Sequence, residues 1–286
     1  MTLFCCLVKR TWVLLTQALL AGIGLLWVFL EPYYTFSPQT AKIGFSCFII
    51  TGLVAGLIWY FINGFFLDGF LKSRVKIRSN AVDTDIEILF GDIFKQGGFK
   101  AIAVNEYYDS IVDDKLISRN TLHGMMLTKY WAAEIADWDK QITKDLEKVS
   151  PLETLASKQK IGKLKRYEIG TVARVSKREN DFLCVVLSKT DLSTLEASSD
   201  VIALYSALKG LLEKARTVCA GNPLNIPLMG SGLSRTGIKA NMIVNMIILA
   251  IIDESKKQKI TQTIRIVLPV KSFGEIDITT ISKEWR

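Results

Sequence analysis

An α/β protein preceded by a two-helix membrane hairpin is the fold class this sequence predicts, and three observations predict it. Two apolar stretches, residues 12–30 and 43–67, each reach the roughly 20 residues that a helix needs to cross a bilayer. From about residue 80, short apolar or alternating runs bounded by Gly, Asn and Asp interleave with longer runs of helical period, the pattern of a sheet covered by helices. Late in the chain, the stretch Asn225 to Gly237 leads from an apolar strand through glycines into an apolar helix.

The totals support a division at about residue 75. The 286 residues carry a formal net charge of +8, and mean hydropathy is +0.26. The first 75 residues hold five basic and two acidic side chains, which leaves 31 basic and 26 acidic over the rest. That remainder is mildly basic with its signs interleaved, so a nucleic-acid stripe is not indicated. The five cysteines, Cys5, Cys6, Cys47, Cys184 and Cys219, show no CxxC or paired spacing, which argues against a disulfide framework or a zinc site and fits a reducing compartment.

In the hairpin, residues 1–75, Lys9 and Arg10 precede the first span. Lys72, Arg74, Lys76 and Arg78 follow the second, and the connection from Glu31 to Lys42 is poor in positive charge. The positive-inside rule therefore places both ends in the cytoplasm. A signal peptide is the competing reading of the first span, but no small-x-small cleavage site follows and a second span comes at once. Gly52-Leu-Val-Ala-Gly56 allows close helix approach, either within the hairpin or between protomers.

The second domain, residues 76–286, is expected to run as follows. Asp85 to Phe90 is a strand that turns at Gly91-Asp92, and Phe99 to Val104 is a second ending at Asn105. Trp131 to Val149 is an amphipathic helix stopped by Pro151, and the lysine-rich stretch Lys158 to Arg166 is a loop. Ile169 to Val175 and Phe182 to Leu187 are strands around a turn. Asp200 to Val218 is a helix with Ser198-Ser199 as its cap. A helix from about Ile238 to Asp253 is too short to be a third span and is read as buried against the sheet, and Thr263 to Leu268 is the last strand.

The stretch Met229-Gly230-Ser231-Gly232-Leu233-Ser234-Arg235 reads either as a phosphate-binding loop or as an ordinary tight turn. Gly230 and Gly232 can take positive φ and bring backbone N–H groups close to an anion. A helix starting near Thr236 offers unpaired donors, and Arg235 offers a charged fork. The glycine spacing misses the dinucleotide fingerprint, and Lys239 falls one residue too late for a P-loop.

Ile86-x-Ile88-x-x-Gly91-Asp92-Ile93, then Ala101-Ile-Ala-Val-Asn105, then Ile226-Pro-Leu-Met229-Gly230-Ser-Gly232-Leu-Ser234 together resemble the macro domain, from about residue 80 onward. The resemblance implies a three-layer α/β/α fold with a mixed sheet that binds ADP-ribose. Asp92, beside Ile93, would accept from the adenine amino group, Asn105 would sit beside the distal ribose, and Gly230 to Arg235 would wrap the diphosphate; the competing readings are a turn or cap residue at Asp92 and a turn-stabilising side chain at Asn105. The chain departs from that pattern after Asn105, reading Glu106-Tyr-Tyr-Asp109-Ser and later Ser118-Arg119-Asn120-Thr121-Leu122-His123-Gly124, which puts the hydrolase activity of many macro domains in doubt.

With the hairpin in front, those two segments are similar to the membrane-anchored macro-domain effectors of the bacterial antiphage system Thoeris. That resemblance implies an ADP-ribose-type signal, made from NAD by a TIR-domain enzyme, followed by oligomerisation and damage to the inner membrane. His123 is the one histidine in the chain, which excludes a paired-histidine metal site. A ligand-facing or loop-ordering role is favoured for it over a catalytic one, with a purely structural, half-buried histidine as the alternative. Asp113 and Asp114 are adjacent and so not an acid/base pair, and Arg119 and Arg235 are possible phosphate partners. The alternatives are a membrane-tethered ADP-ribosyl hydrolase using Asn105 and Asp109, and a membrane scaffold binding protein or nucleic acid.

Overall fold

A computed structural model describes residues 3–36, 43–77, 83–157, 159–230 and 237–285. The chain forms two compact units, Met1–Val75 with Val270–Lys283, and Lys76–Pro269 with Glu284–Arg286.

In the first unit, helix α1 (Leu3–Phe36) and helix α2 (Phe45–Ile62), which continues as a π-helical turn over Asn63–Leu67, pack along each other. Within them, Thr11–Phe36 and Phe45–Leu67 are long and apolar enough to cross a membrane. The first helix runs past the expected end at residue 30 and through Pro32, which forfeits a single backbone bond there. Glycine sets the helix contact. A Cβ on Gly56 would stand 2.3 Å from the Ala18 carbonyl oxygen, one on Gly22 would stand 2.3 Å from that of Gly52, and one on Gly52 would meet Ile23 Cα at 2.8 Å. The Gly52 to Gly56 motif is thus used inside the hairpin. A buried Thr11–Tyr60 hydroxyl pair, 2.5 Å apart, ties the two helices, while Trp12, Trp27, Phe29 and Trp59 point outward.

The second unit is a sheet covered by helices. Its elements are β1 (Arg74–Ile77), β2 (Asp85–Phe90), β3 (Phe99–Asn105), α3 (Leu122–Met126), α4 (Ile135–Asp145), β4 (Glu153–Thr154), β5 (Lys165–Arg166), β6 (Val172–Lys177), β7 (Asn180–Thr190), β8 (Ala197–Ser198), α5 (Val201–Val218), β9 (Leu224–Pro227), α6 (Ala240–Lys257) and β10 (Thr263–Leu268). Helix α7 (Ile278–Glu284) belongs, up to Lys283, to the first unit.

The sheet order is β1-β2-β10-β9-β3-β7-β6, with β8 beside β7. Strands β2, β10, β9, β3 and β7 are mutually parallel, and β6 and β8 run antiparallel to β7, so the sheet is mixed. Alternation along the strands separates two faces. Ile102, Val104, Phe182, Cys184 and Val186 meet Met126, Leu127, Trp131, Trp138 and Ile142 in one core, while α5 packs on β7 and against α6. The observed topology is the expected mixed-sheet α/β fold.

Several boundaries differ from expectation for local reasons. The amphipathic helix starts at Ile135 instead of Trp131, because a π-helical turn over Leu127–Trp131 ends first. The cap of α5 is Asp200, whose carboxylate accepts from the Ala203 N–H at 2.7 Å, in place of Ser198 or Ser199. The helix after the glycine stretch begins at Ala240, later than the expected start near Thr236. It is buried as expected, through Ile243, Val244, Ile247, Ile248 and Ile251.

Candidate functional site

Because five neighbouring strands run parallel, their C-terminal ends open on one edge, the usual place for a ligand crevice in an α/β sheet. The Gly91-Asp92 turn follows β2, Met229-Gly230 follows β9, and Asn105 ends β3. Gly91 N–H donates to the Leu268 carbonyl at 2.8 Å, which fixes the first turn to the end of β10. Asp92 is exposed and caps a 3-10 turn, its Oδ1 accepting from Phe94 N–H at 2.9 Å. Ile93 is buried with Leu89 and Val267, and Leu122 packs on that cluster, so the start of α3 comes to the same strand ends.

After β9, Met229 N–H donates to the Pro227 carbonyl at 2.8 Å, and Gly230 takes φ +85° in a buried turn. That conformation favours glycine and turns the backbone out of the strand. Ser231, Gly232, Leu233, Ser234 and Arg235 lie outside the described residues.

Asn105 and Asp109 form a closed polar cluster. A bulge at the end of β3 pairs Asn105 with Ser188. The Asn105 amide then bridges its own turn, donating to Asp109 Oδ2 at 2.8 Å and accepting from Asp109 N–H at 3.1 Å. The Asp109 carboxylate is fully buried and also accepts from Lys160 Nζ at 2.7 Å on each oxygen and from Lys163 N–H at 2.8 Å. Lys160 Nζ donates further to the Ile161 and Lys163 carbonyls and lies 4.4 Å from the Tyr107 ring centroid. Gly162, at φ +96°, completes the clamp, since a Cβ there would stand 2.3 Å from Asp109 Oδ1. Lys160, Gly162 and Lys163 lie in the lysine-rich stretch expected as a loop, whose last two residues, Lys165 and Arg166, instead pair with β4 as β5. The clamp's only signal is a glycine among lysines, with the acidic partner of Lys160 51 residues away.

The segment Ser118 to Gly124 is a built helix start. The Thr121 hydroxyl donates to the Ser118 carbonyl at 2.7 Å and accepts from Gly124 N–H at 3.0 Å, capping α3. Asn120 N–H reaches Ser118 Oγ at 3.3 Å, and a Cβ on Gly124 would stand 2.3 Å from the Ser118 carbonyl oxygen. Arg119 is exposed and 3.5 Å from the Asp114 carboxylate.

His123 is buried against Trp138, with ring centroids 5.8 Å apart, and its Nε2 has no hydrogen-bond partner among the described residues. Burial, reinforced by the Lys163 charge, lowers its pKa to about 3, so the imidazole is neutral at ordinary pH. A cavity of about 750 Å³ is bounded in part by Ser110, Arg119, Thr128, Asp139, Gly162 and Lys163. The Lys163 ammonium is 2.6 Å from Asp139, and burial lowers its pKa against that partner's pull. Among the described residues, no group of three His, Cys, Asp or Glu side chains is placed to hold a metal.

These features define an α/β domain whose turns after parallel strands gather at one edge of the sheet, in a chain that also carries two apolar helices. The family model described as "Thoeris protein ThsA, Macro domain" matches residues 86–269, and the chain belongs to this family. It is 30% identical over 190 residues to the Thoeris protein ThsA of Bacillus amyloliquefaciens (strain Y2), an alignment covering 65% of this chain and 61% of that protein. The chain thus spans about three fifths of that relative's length. Among solved structures, a point mutant of the Oceanobacillus iheyensis macrodomain is similar at TM-score 0.49 and 13% identity, covering 75% of this chain and 96% of that one. The same macrodomain with ADP is similar at TM-score 0.49 and 14% identity, covering 74% and 94%.

Proposed function

We propose that the protein is a membrane-anchored sensor and effector of antiphage defence. In this reading residues 76–286 form a cytoplasmic domain that binds an ADP-ribose-type ligand at the strand ends, and residues 1–75 form a two-pass anchor in the bacterial inner membrane with both termini in the cytoplasm. A TIR-domain enzyme supplies the signal from NAD. Ligand binding drives oligomerisation, and the hairpins then disrupt the membrane and abort the infection.

The observation that carries the reading is the convergence of the Asp92 turn, the Gly230 turn and the α3 start at one end of a parallel sheet, in a chain of the ThsA macro family. Asp92 offers an exposed carboxylate to an amino group, and the positive-φ turn at Gly230 brings the chain after β9 to the same strand ends. An effector also needs the ligand to favour one assembly state, by several kcal/mol for a near-complete switch. Binding without turnover is preferred because Asp109, the carboxylate that a hydrolase would use to orient water, is buried and saturated by Lys160, Lys163 and Asn105.

Calorimetric titration of the full chain in lipid nanodiscs tests the reading, with ADP-ribose in one arm and the products of a TIR-domain NADase in the other. Saturable binding with no loss of ligand over hours is expected. Absence of binding in both arms overturns the sensor, and steady turnover replaces it with the hydrolase.

A further inference from the structure

The described residues hold a feature that this function does not use. The chain after β10 leaves the sheet unit: Val270–Lys283 belongs to the compact unit of the membrane hairpin, and Glu284–Arg286 belong to the sheet unit again. One residue, Pro269, lies between the end of β10 and that segment. We propose that residues 268–279 are a strap that relays occupancy of the strand-end crevice to both membrane helices, an inference that rests on the function proposed above.

At the crevice end, β10 lies between β2 and β9, the two strands whose following turns carry Asp92 and Gly230. The Leu268 carbonyl accepts from Gly91 N–H at 2.8 Å, one residue from Asp92. A ligand that moves the Asp92 turn therefore acts on the exit of β10 through a single bond.

At the membrane end, the turn Val270–Gly274 packs on α1, and Phe273 and Ile276 are fully buried. Asp277 caps α7, accepting from Thr279 N–H at 3.0 Å and Thr280 N–H at 3.2 Å. The Thr279 hydroxyl then donates to the carbonyl of Gly69, just past the second candidate span, at 2.9 Å. Gly69 takes φ +76°, and a Cβ there would stand 3.0 Å from Thr279 Cγ2, so the approach is backbone-close. The segment thus grips α1 and the exit of α2, and the proline before it is poorly suited to absorb motion by rotation of φ. A short, buried, hydrogen-bonded connection of this kind can carry coupling between two states.

The test uses the full chain in dye-loaded vesicles of phosphatidylethanolamine and phosphatidylglycerol, with ADP-ribose and TIR-enzyme products as the two probes. Three variants are compared with the wild type: a Gly-Gly insertion between Pro269 and Val270, Thr279→Val, and a Gly-Gly insertion after Ile77, two residues past the first junction of the units. The expected result is that slackening at residue 269 leaves probe affinity within about threefold and cuts dye release at least about tenfold, with Thr279→Val intermediate. Release unchanged by both strap variants overturns the strap and leaves the sensor standing, as does release lost only with the insertion after Ile77. A wild-type protein that neither binds probe nor releases dye overturns the sensor and the strap together.

Discussion

Two aspartates follow the C-terminal ends of parallel strands, and the chain treats them in opposite ways. Asp109 is buried and held by Asn105, Lys160 and Lys163, so its charge organises the protein itself. Asp92 is exposed, with Oδ1 engaged by its own turn, so its charge faces outward. Burial and saturation separate a carboxylate that builds a site from one that can serve it, and four predictions bear on that contrast.

The largest effect is expected at Asp109. Asp109→Ala leaves the Lys160 ammonium, itself fully buried, without its counter-ion, which costs about 3–5 kcal/mol of folding stability. Pairing the change with Lys160→Met removes the stranded charge and recovers most of that loss. Urea unfolding of the three proteins in detergent checks this, and equal losses in the single and double variants would show that the ion pair is not what matters. Gly162→Ala comes next, at about 1–3 kcal/mol, because alanine at φ +96° is strained and its Cβ would collide with Asp109.

The third prediction concerns pH. The folded-state pKa of His123 is lowered to about 3 by burial, against an unfolded value of about 6.5. Its contribution is therefore complete above about pH 6.5 and is lost as pH falls toward 3, because the unfolded chain takes up the proton first. At pH 5 the loss is about 2 kcal/mol. Unfolding free energies of the wild type and His123→Gln between pH 5 and 8 should show a steeper acid-side fall in the wild type. Parallel curves would remove His123 as the cause.

What the sequence disclosed follows the range of the interactions. The hairpin, the Asp92 turn and β10 rest on local period and composition, and β10 occupies the expected residues 263–268. Glycine at 52 and 56 marked close packing, but its partner surface, Ala18 to Ile23, is fixed only when α1 folds back. The Asp109 clamp was not legible, because it joins residues 51 apart through a loop without periodicity. The inward turn of His123 is not legible either, because it depends on Trp138, which belongs to α4. The strap was invisible for the same reason, since Thr279 meets Gly69 across 210 residues of sequence.

Asp92 supplies the smallest stability effect and the sharpest functional one. Asp92→Ala removes the side-chain cap on Phe94 N–H, a loss of about 1 kcal/mol for an exposed helix start. If the carboxylate also accepts from the ligand's amino group, the same change removes a charge-assisted bond of about 1.5–3 kcal/mol, roughly tenfold or more in affinity. Asp92→Asn separates the two roles, because its amide oxygen can still accept from Phe94 N–H while its charge is gone. Titration of ADP-ribose into the three proteins should find both variants weakened, with the stability of Asp92→Asn close to wild type. Wild-type affinity in Asp92→Ala would reduce this residue to a turn cap and erase its distinction from Asp109, leaving the post-β9 turn and the α3 start as the ligand contacts to test next.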